Sequence, residues 1–376
     1  MSERNRHGII DLFCGVGGFS LSATRAGFRI CGAVDNDPRI SLAHRKNFPN
    51  TKHLEQDISK ISGASLLKAL SVKGEITGLI GGPPCQGFSS MGKGKLQDRR
   101  NDLFVDFFRL VDEIEPLFFL CENVPGLLKD SHCEYINRAN RKVEKKYCIL
   151  SPMLFKASDY GAPTIRKRVF FFGYRKDLSV NFDVKDFESN GSIEKVTVGK
   201  ALRGLPRKIN INEHNRENGW RKIKRNINGS FGDSLWGKIP FSVGDPYSIE
   251  ILEKSDKVSG CIGTEHTREI VERYESIQQG GADNISRSIR LDIKGFCPTL
   301  RAGTGPERGS FQAVRPIHPT ENRVITPREA ARLQGFPDWF QFDDTKWHSF
   351  RQIGNSVSPI LGEYILRKIK IMIVRK

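Results

Sequence analysis

The eight cysteines of this 376-residue chain include no CxxC pair and lie scattered along it. That spacing offers neither a paired-cysteine zinc site nor a disulfide framework, so no metal is expected. Apolar runs never approach the roughly 20 residues of a membrane span, and no membrane partner is expected. The stretch from Met1 to His7 is polar and lacks the apolar core of a signal peptide. A cytoplasmic location is therefore the natural expectation for so many free thiols. Repeats and low-complexity tracts are missing too. Acidic residues are the scarce charge: 43 Asp and Glu face 60 Lys and Arg, a formal net charge of +17. Such an excess favours a polyanionic partner, nucleic acid first. Hydrophobic residues make up 38% of the chain, enough for a large core and two domains.

The centre of the pattern is Leu79-Ile80-Gly81-Gly82-Pro83-Pro84-Cys85-Gln86. An apolar, strand-like run stops at two glycines and two prolines, and a cysteine follows at once. Proline fixes its backbone angle and ends the strand, while glycine allows close approach. Cys85 thus reads either as a thiol presented at a strand tip or as a buried structural cysteine. The basic, glycine-rich segment from Met91 to Asn101 follows and suits a lid over a substrate.

Upstream, Gly8 to Leu12 reads as a strand, Phe13 to Gly18 as a glycine turn, and Phe19 to Ala26 as a helix. A second strand ends at Asp35. This opens a doubly wound α/β domain, with a turn beneath one ligand end and an acid able to hold ribose hydroxyls. A dinucleotide site would look similar, but Asp11 and the Phe13-Cys14-Gly15 step depart from its pattern. Asp57 could meet an adenine amine or cap the helix that follows. Pro116 to Cys121 is a buried strand ending in Glu122, on the same edge as Asp35 and Cys85 if the sheet is parallel. Residues 149–155 and 168–173 read as two further strands. Arg166 and Arg168 face one way along an extended segment and could pair with Glu122 or meet a base and its phosphate.

Beyond Lys176 the apolar periodicity fades, and Gly, Asn, Ser, Lys and Arg rise. Residues 267–277 read as a helix ending at Gly280-Gly281. Phe296 to Gly309 reads as a strand with a glycine-rich loop, suited to groove contact. Regularity returns at Thr326, where an N-cap, Pro327, Glu329 and Gly335 frame a helix. Gln352 to Val357 reads as a glycine turn into a last helix from Pro359.

Taken in order, Asp11 to Gly18, Gly82 to Ser89, Glu122-Asn123-Val124, the Arg166/Arg168 pair, Arg332 to Asp338 and Gln352 to Val357 resemble the motifs of DNA (cytosine-5) methyltransferases, bacterial restriction–modification type. The resemblance covers residues 8–175 and 296–376. It implies an α/β, doubly wound, mostly parallel sheet binding S-adenosylmethionine, with a smaller irregular, β-rich target-recognition domain. The implied division is residues 1–180 catalytic, 181–340 recognition and 341–376 returning to the catalytic domain. Cys85 corresponds to the nucleophile that attacks carbon-6 of a flipped-out cytosine. Glu122 corresponds to the acid at ring nitrogen-3 and must carry a proton there. Arg168 would sit at the base's carbonyl oxygen and Arg166 near Glu122. Phe13, Gly15, Gly17, Asp35, Asp57, Ile58, Pro84, Leu103, Asn355, Ser356 and Val357 fall where the family holds the methyl donor. DNA contacts are implied at Gln86, Ser89, Lys93, Lys95, Arg99 and Arg100, and in the recognition loops at Arg287, Thr299, Arg301 and Arg308. The implied partners are double-stranded DNA and a cognate restriction endonuclease. One chain carries the full motif set, so a monomer suffices.

Two departures stand out. Thr164 occupies the position where the family usually has glutamine, and Pro359 stands displaced from the proline that usually follows Asn-Ser-Val. Neither touches Cys85 or Glu122. Rival readings are a transfer-RNA cytosine methyltransferase, whose expected Cys-Phe-Thr tripeptide is missing here, and a DNA-binding relative without catalysis, which would have lost a nucleophile or acid.

Overall fold

The structure, a computed structural model, describes residues 7–84, 101–209, 217–303 and 315–374. Its largest element is an 8-stranded sheet. Strands β1 (Gly8–Leu12), β2 (Arg29–Asp35), β3 (Lys52–Glu55), β4 (Gly78–Gly81) and β5 (Phe118–Asn123) run parallel in the order β3-β2-β1-β4-β5. Strand β8 (Lys167–Arg175) lies antiparallel against β5. Its other edge is shared by two short antiparallel strands, β6 (Tyr147–Ile149) and β7 (Met153–Lys156). The order reverses between β1 and β4, so the crevice for a ligand opens at their carboxyl ends.

Helices α1 (Gly18–Arg25), α2 (Pro38–Asn47), α3 (Gly63–Ala69), α4 (Asp102–Ile114) and α5 (Cys133–Val143) belong to this part. Alternation along the strands feeds two cores. Ile10, Leu79, Phe119 and Phe171 face the cluster containing Phe104, Phe107 and Phe108 of α4. Their neighbours Ile9, Ile80, Phe118 and Phe170 face the opposite cluster, with Phe19 of α1. Each fully buried phenylalanine contributes roughly 2–3 kcal/mol through removal from water, so the sheet's edge is held by a stiff base.

A third core joins Val196 to Ile353 with Val16, Leu21, Ala43 and Phe48. It gathers α6 (Val198–Leu202), α7 (Ser230–Trp236), α8 (Pro246–Ser255), α10 (Pro327–Gln334), α11 (Lys346–Asn355) and α12 (Pro359–Val374), with α12 also lining the α1 face of the sheet, while α9 (Arg268–Glu275) packs through Tyr274 in a small separate cluster with Ile317 and Val324. Among described residues of 181–340 the strands are only the two-residue β9 (Arg221–Lys222) and β10 (Lys257–Val258). The region is irregular as expected, but its strand content falls short of a β-rich domain. Side-chain bonds to backbone, such as Arg290 to the carbonyls of His318 and Glu321, close its turns instead.

Two local expectations change. The Phe296–Arg301 segment forms no strand, only a bridge from Cys297 to Thr164, and Pro298 can offer no N–H to a ladder. The glycine of Gln352 to Val357 lies inside α11 rather than in a turn. A methyl group on Gly354 would stand 2.6 Å from the Ala302 nitrogen, so this glycine admits the neighbouring backbone. The helix at Thr326 keeps its expected frame: Thr326 and Glu329 form a reciprocal cap and Gly335 ends it at φ 93°.

Candidate active site

At the β5 tip, Glu122 is largely buried. The Arg168 Nε lies 2.6 Å from its Oε1. The N–H is not aimed along that contact, so Oε1 keeps hydrogen-bonding capacity beside the cation. Arg168 Nη1 donates to the Lys167 carbonyl at 2.7 Å, which fixes the guanidinium. The lead-in to Cys85 passes close by. A methyl group on Gly82 would sit 3.3 Å from Glu122 Oε2, and Asn123 Nδ2 donates to the Pro83 carbonyl at 3.4 Å. Asn123 also accepts from the Val124 amide at 2.8 Å, so the Glu122-Asn123-Val124 step ties both strand ends together. Cys85 itself lies outside the described residues, as do Gln86, Ser89, Lys93, Lys95, Arg99, Arg100 and Arg308.

Arg168 is thus an arginine that stands at Glu122. β8 begins at Lys167, so Arg166 lies just ahead of the ladder. Arg166 is 2% exposed and its Nη1 donates to the Leu300 carbonyl at 3.2 Å. Thr164 supports the same junction: its hydroxyl donates to the Cys297 carbonyl at 3.0 Å, and the Ile165 amide donates to that oxygen as well. Thr164 and Arg166 therefore fasten the segment carrying Thr299 and Arg301, both exposed, to the sheet. Arg287 is also exposed, at a turn with φ 60°.

At the β1–β2 end, three residues of the turn take left-handed angles: Phe13 at φ 57°, Gly15 at 56° and Gly17 at 104°. Backbone amides hold Asp35, with Gly15 N of the turn donating to Oδ2 at 3.0 Å and Asp37 N, at the start of α2, to Oδ1 at 3.1 Å. Burial pushes the Asp35 carboxyl above its usual range despite these bonds. Phe13, Ile58 and Leu103 share one apolar cluster beneath this end. Pro84 is half-buried at the edge of the described chain. Asp57 caps the short helix after it, accepting from the Ser59 amide at 3.0 Å and hydroxyl at 2.8 Å. Those bonds hold its carboxyl below the usual range.

Gly18 brings the far end of the chain in. A methyl group there would stand 2.5 Å from the Val357 carbonyl and 3.1 Å from Ser356 Cβ. Gln334 holds this corner, donating from Nε2 to the Ser356 carbonyl at 2.9 Å, while Ser358 Oγ donates to the Gln334 carbonyl at 2.9 Å. Asn355 is exposed beside it. Asn123 and Gln334 are supporting residues that sequence reasoning left out of the site. Both stand inside motifs already singled out, but only the fold reveals the carbonyls they hold.

Known proteins resemble this chain along nearly its whole length. The profile of "C-5 cytosine-specific DNA methylase" matches residues 8–371. Type II methyltransferase M.XorII of Xanthomonas oryzae pv. oryzae is 38% identical over 361 residues, covering 95% of this chain and 82% of that protein. Type II methyltransferase M.DdeI of Desulfomicrobium norvegicum is 31% identical over 402 residues, covering 96% and 88%. A crystal structure of a protein named as a DNA modification methyltransferase encoded within an E. coli prophage is 48% identical, with TM-score 0.89 and coverage of 98% and 100%. S. pombe Dnmt2 methyltransferase is 15% identical, with TM-score 0.62 and 98% of each chain covered, a likeness of fold alone. With the site's two ends on one sheet edge and a profile match spanning nearly the whole sequence, the chain belongs to the C-5 cytosine-specific DNA methylase family and is a DNA (cytosine-5-)-methyltransferase.

Proposed function

We propose that the enzyme transfers a methyl group from S-adenosylmethionine to carbon-5 of a cytosine flipped out of a specific double-stranded DNA sequence, through a covalent adduct on Cys85. The observation that carries this reading is the meeting of Glu122, Arg168 and the Gly82–Pro84 lead-in at one strand edge. Bound S-adenosylmethionine supplies an electrophilic methyl group on a cationic sulfonium. The left-handed turn at Phe13, Gly15 and Gly17 and the amide-held Asp35 suit that group: the turn clears space, and Asp35 retains acceptor capacity for ribose hydroxyls. Asp57 and Ile58, Pro84 and Leu103, and Asn355 to Val357 would complete its cradle.

Thiolate addition from Cys85 at carbon-6 would turn carbon-5 into a nucleophile. Glu122 would hydrogen-bond ring nitrogen-3 and the exocyclic amine, giving a proton as the thiolate adds. Arg168, already fixed by Glu122 and Lys167, keeps an Nη2 able to donate to the base's carbonyl oxygen. Arg166 acts through the segment it ties down. Removal of the carbon-5 proton then lets the thiolate leave.

The same proposal assigns residues 1–180 and 341–376 to catalysis and 181–340 to target recognition, with DNA contacts at the basic segment after Cys85 and at Arg287, Thr299, Arg301 and Arg308. It makes the enzyme a monomeric, cytoplasmic, nucleoid-associated modification partner of a restriction endonuclease acting on the same site, a role supported by relatives named as type II methyltransferases. The test is labelled methyl transfer to unmethylated duplex DNA and to bulk RNA, with Cys85→Ser alongside and bisulfite sequencing of the product. Label in DNA alone, lost in Cys85→Ser, is expected. Label in RNA alone would replace this reading with the transfer-RNA one, and no label with DNA still bound would end it.

A further inference from the structure

Beneath the glycine turn runs a buried chain of polar side chains that the reading above does not use. Ser20 Oγ of α1 donates to Asp11 Oδ2 at 2.6 Å. His44 of α2 meets that hydroxyl through Nε2 at 3.1 Å, and its Nδ1 lies 2.8 Å from Nε2 of His53 on β3. Asp11, Ser20 and His44 are all 0% exposed, whereas His53 is half-buried and reaches solvent. The chain touches the turn from both sides: Asp11 precedes it on β1, and a methyl group on Gly17 would strike Phe48 at 2.3 Å and the His44 ring at 3.1 Å.

One detail is costly unless something offsets it. Asp11 Oδ1 is buried and has no hydrogen-bond partner among the described residues. No salt bridge reaches Asp11 or Asp35 there either, although the two carboxylates repel each other. The other groups facing the chain are the Cys14 thiol of the turn and, at the histidine end, Arg45. A buried anion left without a cation, at a turn built for a sulfonium ligand, is complementary to that ligand's charge.

We infer that Asp11 is the charge-balancing positioning residue for the methyl donor, and that Ser20, His44 and His53 form the proton wire that lets its charge follow the ligand's. This rests on S-adenosylmethionine being the donor. The carboxylate only accepts, so it sets the direction of every bond: Ser20 donates to Asp11, His44 Nε2–H to Ser20, and His53 Nε2–H to His44 Nδ1. His53 Nδ1 is left as the entry. When it takes a proton, His53 passes its Nε2 proton to His44, His44 passes its own to Ser20, and Ser20 passes its own to Asp11. One proton enters, one arrives, and every member ends neutral. The reverse sequence discharges Asp11 when a cation binds.

Supporting values agree with the geometry. Burial pushes Asp11 up to about 7, against the Ser20 bond and with help from Asp35. Burial and the neighbouring His53 hold His44 well below its usual range, and burial and Arg45 lower His53 to about 4, so both imidazoles rest neutral.

The test is calorimetric titration of the full chain with S-adenosylmethionine and with S-adenosylhomocysteine at pH 7, in two buffers of different ionisation enthalpy. The first ligand is cationic at sulfur and the second is not. Wild type should release about half a proton more with the cationic ligand, since Asp11 titrates at about 7. Its preference for that ligand should grow as pH rises from 6 to 8. Asp11→Asn should abolish both the proton difference and the pH-dependent preference. A merely structural Asp11 would weaken both ligands alike and leave the proton counts equal. Equal counts in wild type, or a difference that survives Asp11→Asn, would overturn the inference while leaving the donor assignment standing. Failure of both ligands to bind wild type would overturn both. For the wire, His53→Ala should keep the count and slow the release seen by a pH dye in stopped flow; release at the wild-type rate would remove the histidines from the route.

Discussion

The two ends of the sheet edge treat buried carboxylates in opposite ways. At the β4–β5 end, Glu122 is answered by the Arg168 guanidinium at 2.6 Å. At the β1–β2 end, among the described residues, Asp11 and Asp35 receive only a hydroxyl and backbone amides. One end holds its carboxyl against a cation before any ligand arrives, whereas the described residues bring no cation to the other. The difference fits what the proposed reaction would bring to each end: a neutral base in one case and a cationic methyl donor in the other. Buried charge is tolerated only with a partner, so in the proposed complex the ligand itself would complete one end while the protein completes the other.

The comparison breaks most sharply at Glu122. Glu122→Gln preserves shape but cannot give up a proton, so single-turnover methyl transfer should fall about a hundredfold or more, with DNA affinity by filter binding nearly unchanged. Next comes its cation. Arg168→Ala strands the carboxylate in a buried site and should cost about 3–5 kcal/mol in urea unfolding. Combining it with Glu122→Gln should recover much of that loss, because the stranded charge is gone. Recovery is the informative outcome: if the double variant is no better than the single, the pair was not the source of the cost.

At the other end the expected penalty moves from chemistry to binding. Asp35→Ala should raise the KM for S-adenosylmethionine about tenfold to a hundredfold, the worth of hydrogen bonds to a charged group at ~1.5–3 kcal/mol. The kcat at saturating donor should stay within about twofold, since such contacts are made equally in ground and transition states. A large fall in kcat with an unchanged KM would place Asp35 in the chemistry and erase the distinction between the ends.

Most of the frame was legible because it is written locally. Strand alternation at Ile9-Ile10 and Phe118-Phe119, the glycine turn after β1, and the Thr326 cap are each set by a few neighbouring residues. What escaped depends on partners distant in sequence. Asn123 reaches Pro83 across 40 positions, and Arg166 reaches Leu300 across 134. Period-two reasoning set Arg166 and Arg168 on one face, but it could not name the Leu300 carbonyl that Arg166 holds. Gly354 looked like a turn glycine because close backbone approach leaves no trace in spacing. His44 and His53 were invisible as a pair, since a helix and an edge strand bring them together only in the folded sheet.

The smallest effect concerns stability without ligand, and its sign sets Asp11 apart from carboxylates held by a cation. Asp11 binds its proton more tightly folded than unfolded, its value rising from 3.8 to about 7. The folded chain therefore holds a proton that the unfolded chain has lost, and this contribution to stability fades as pH rises between about 4 and 7. Carboxylates with lowered values, such as Asp338 beside Arg332, act in the opposite sense and lose their contribution only as acid protonates them. Asp11→Asn removes the first slope and leaves the second untouched. In thermal unfolding, the Tm of Asp11→Asn relative to wild type should climb between pH 5 and pH 8 by a few degrees, a ΔΔG of about 1 kcal/mol being worth ~2–4 °C in domains of 150–250 residues. S-adenosylmethionine should then reverse the ranking, because the cation restores to wild type the partner that the variant no longer needs. A Tm difference flat across that range would mean that Asp11 is ionised at no cost, and the anionic end would have a compensating charge after all.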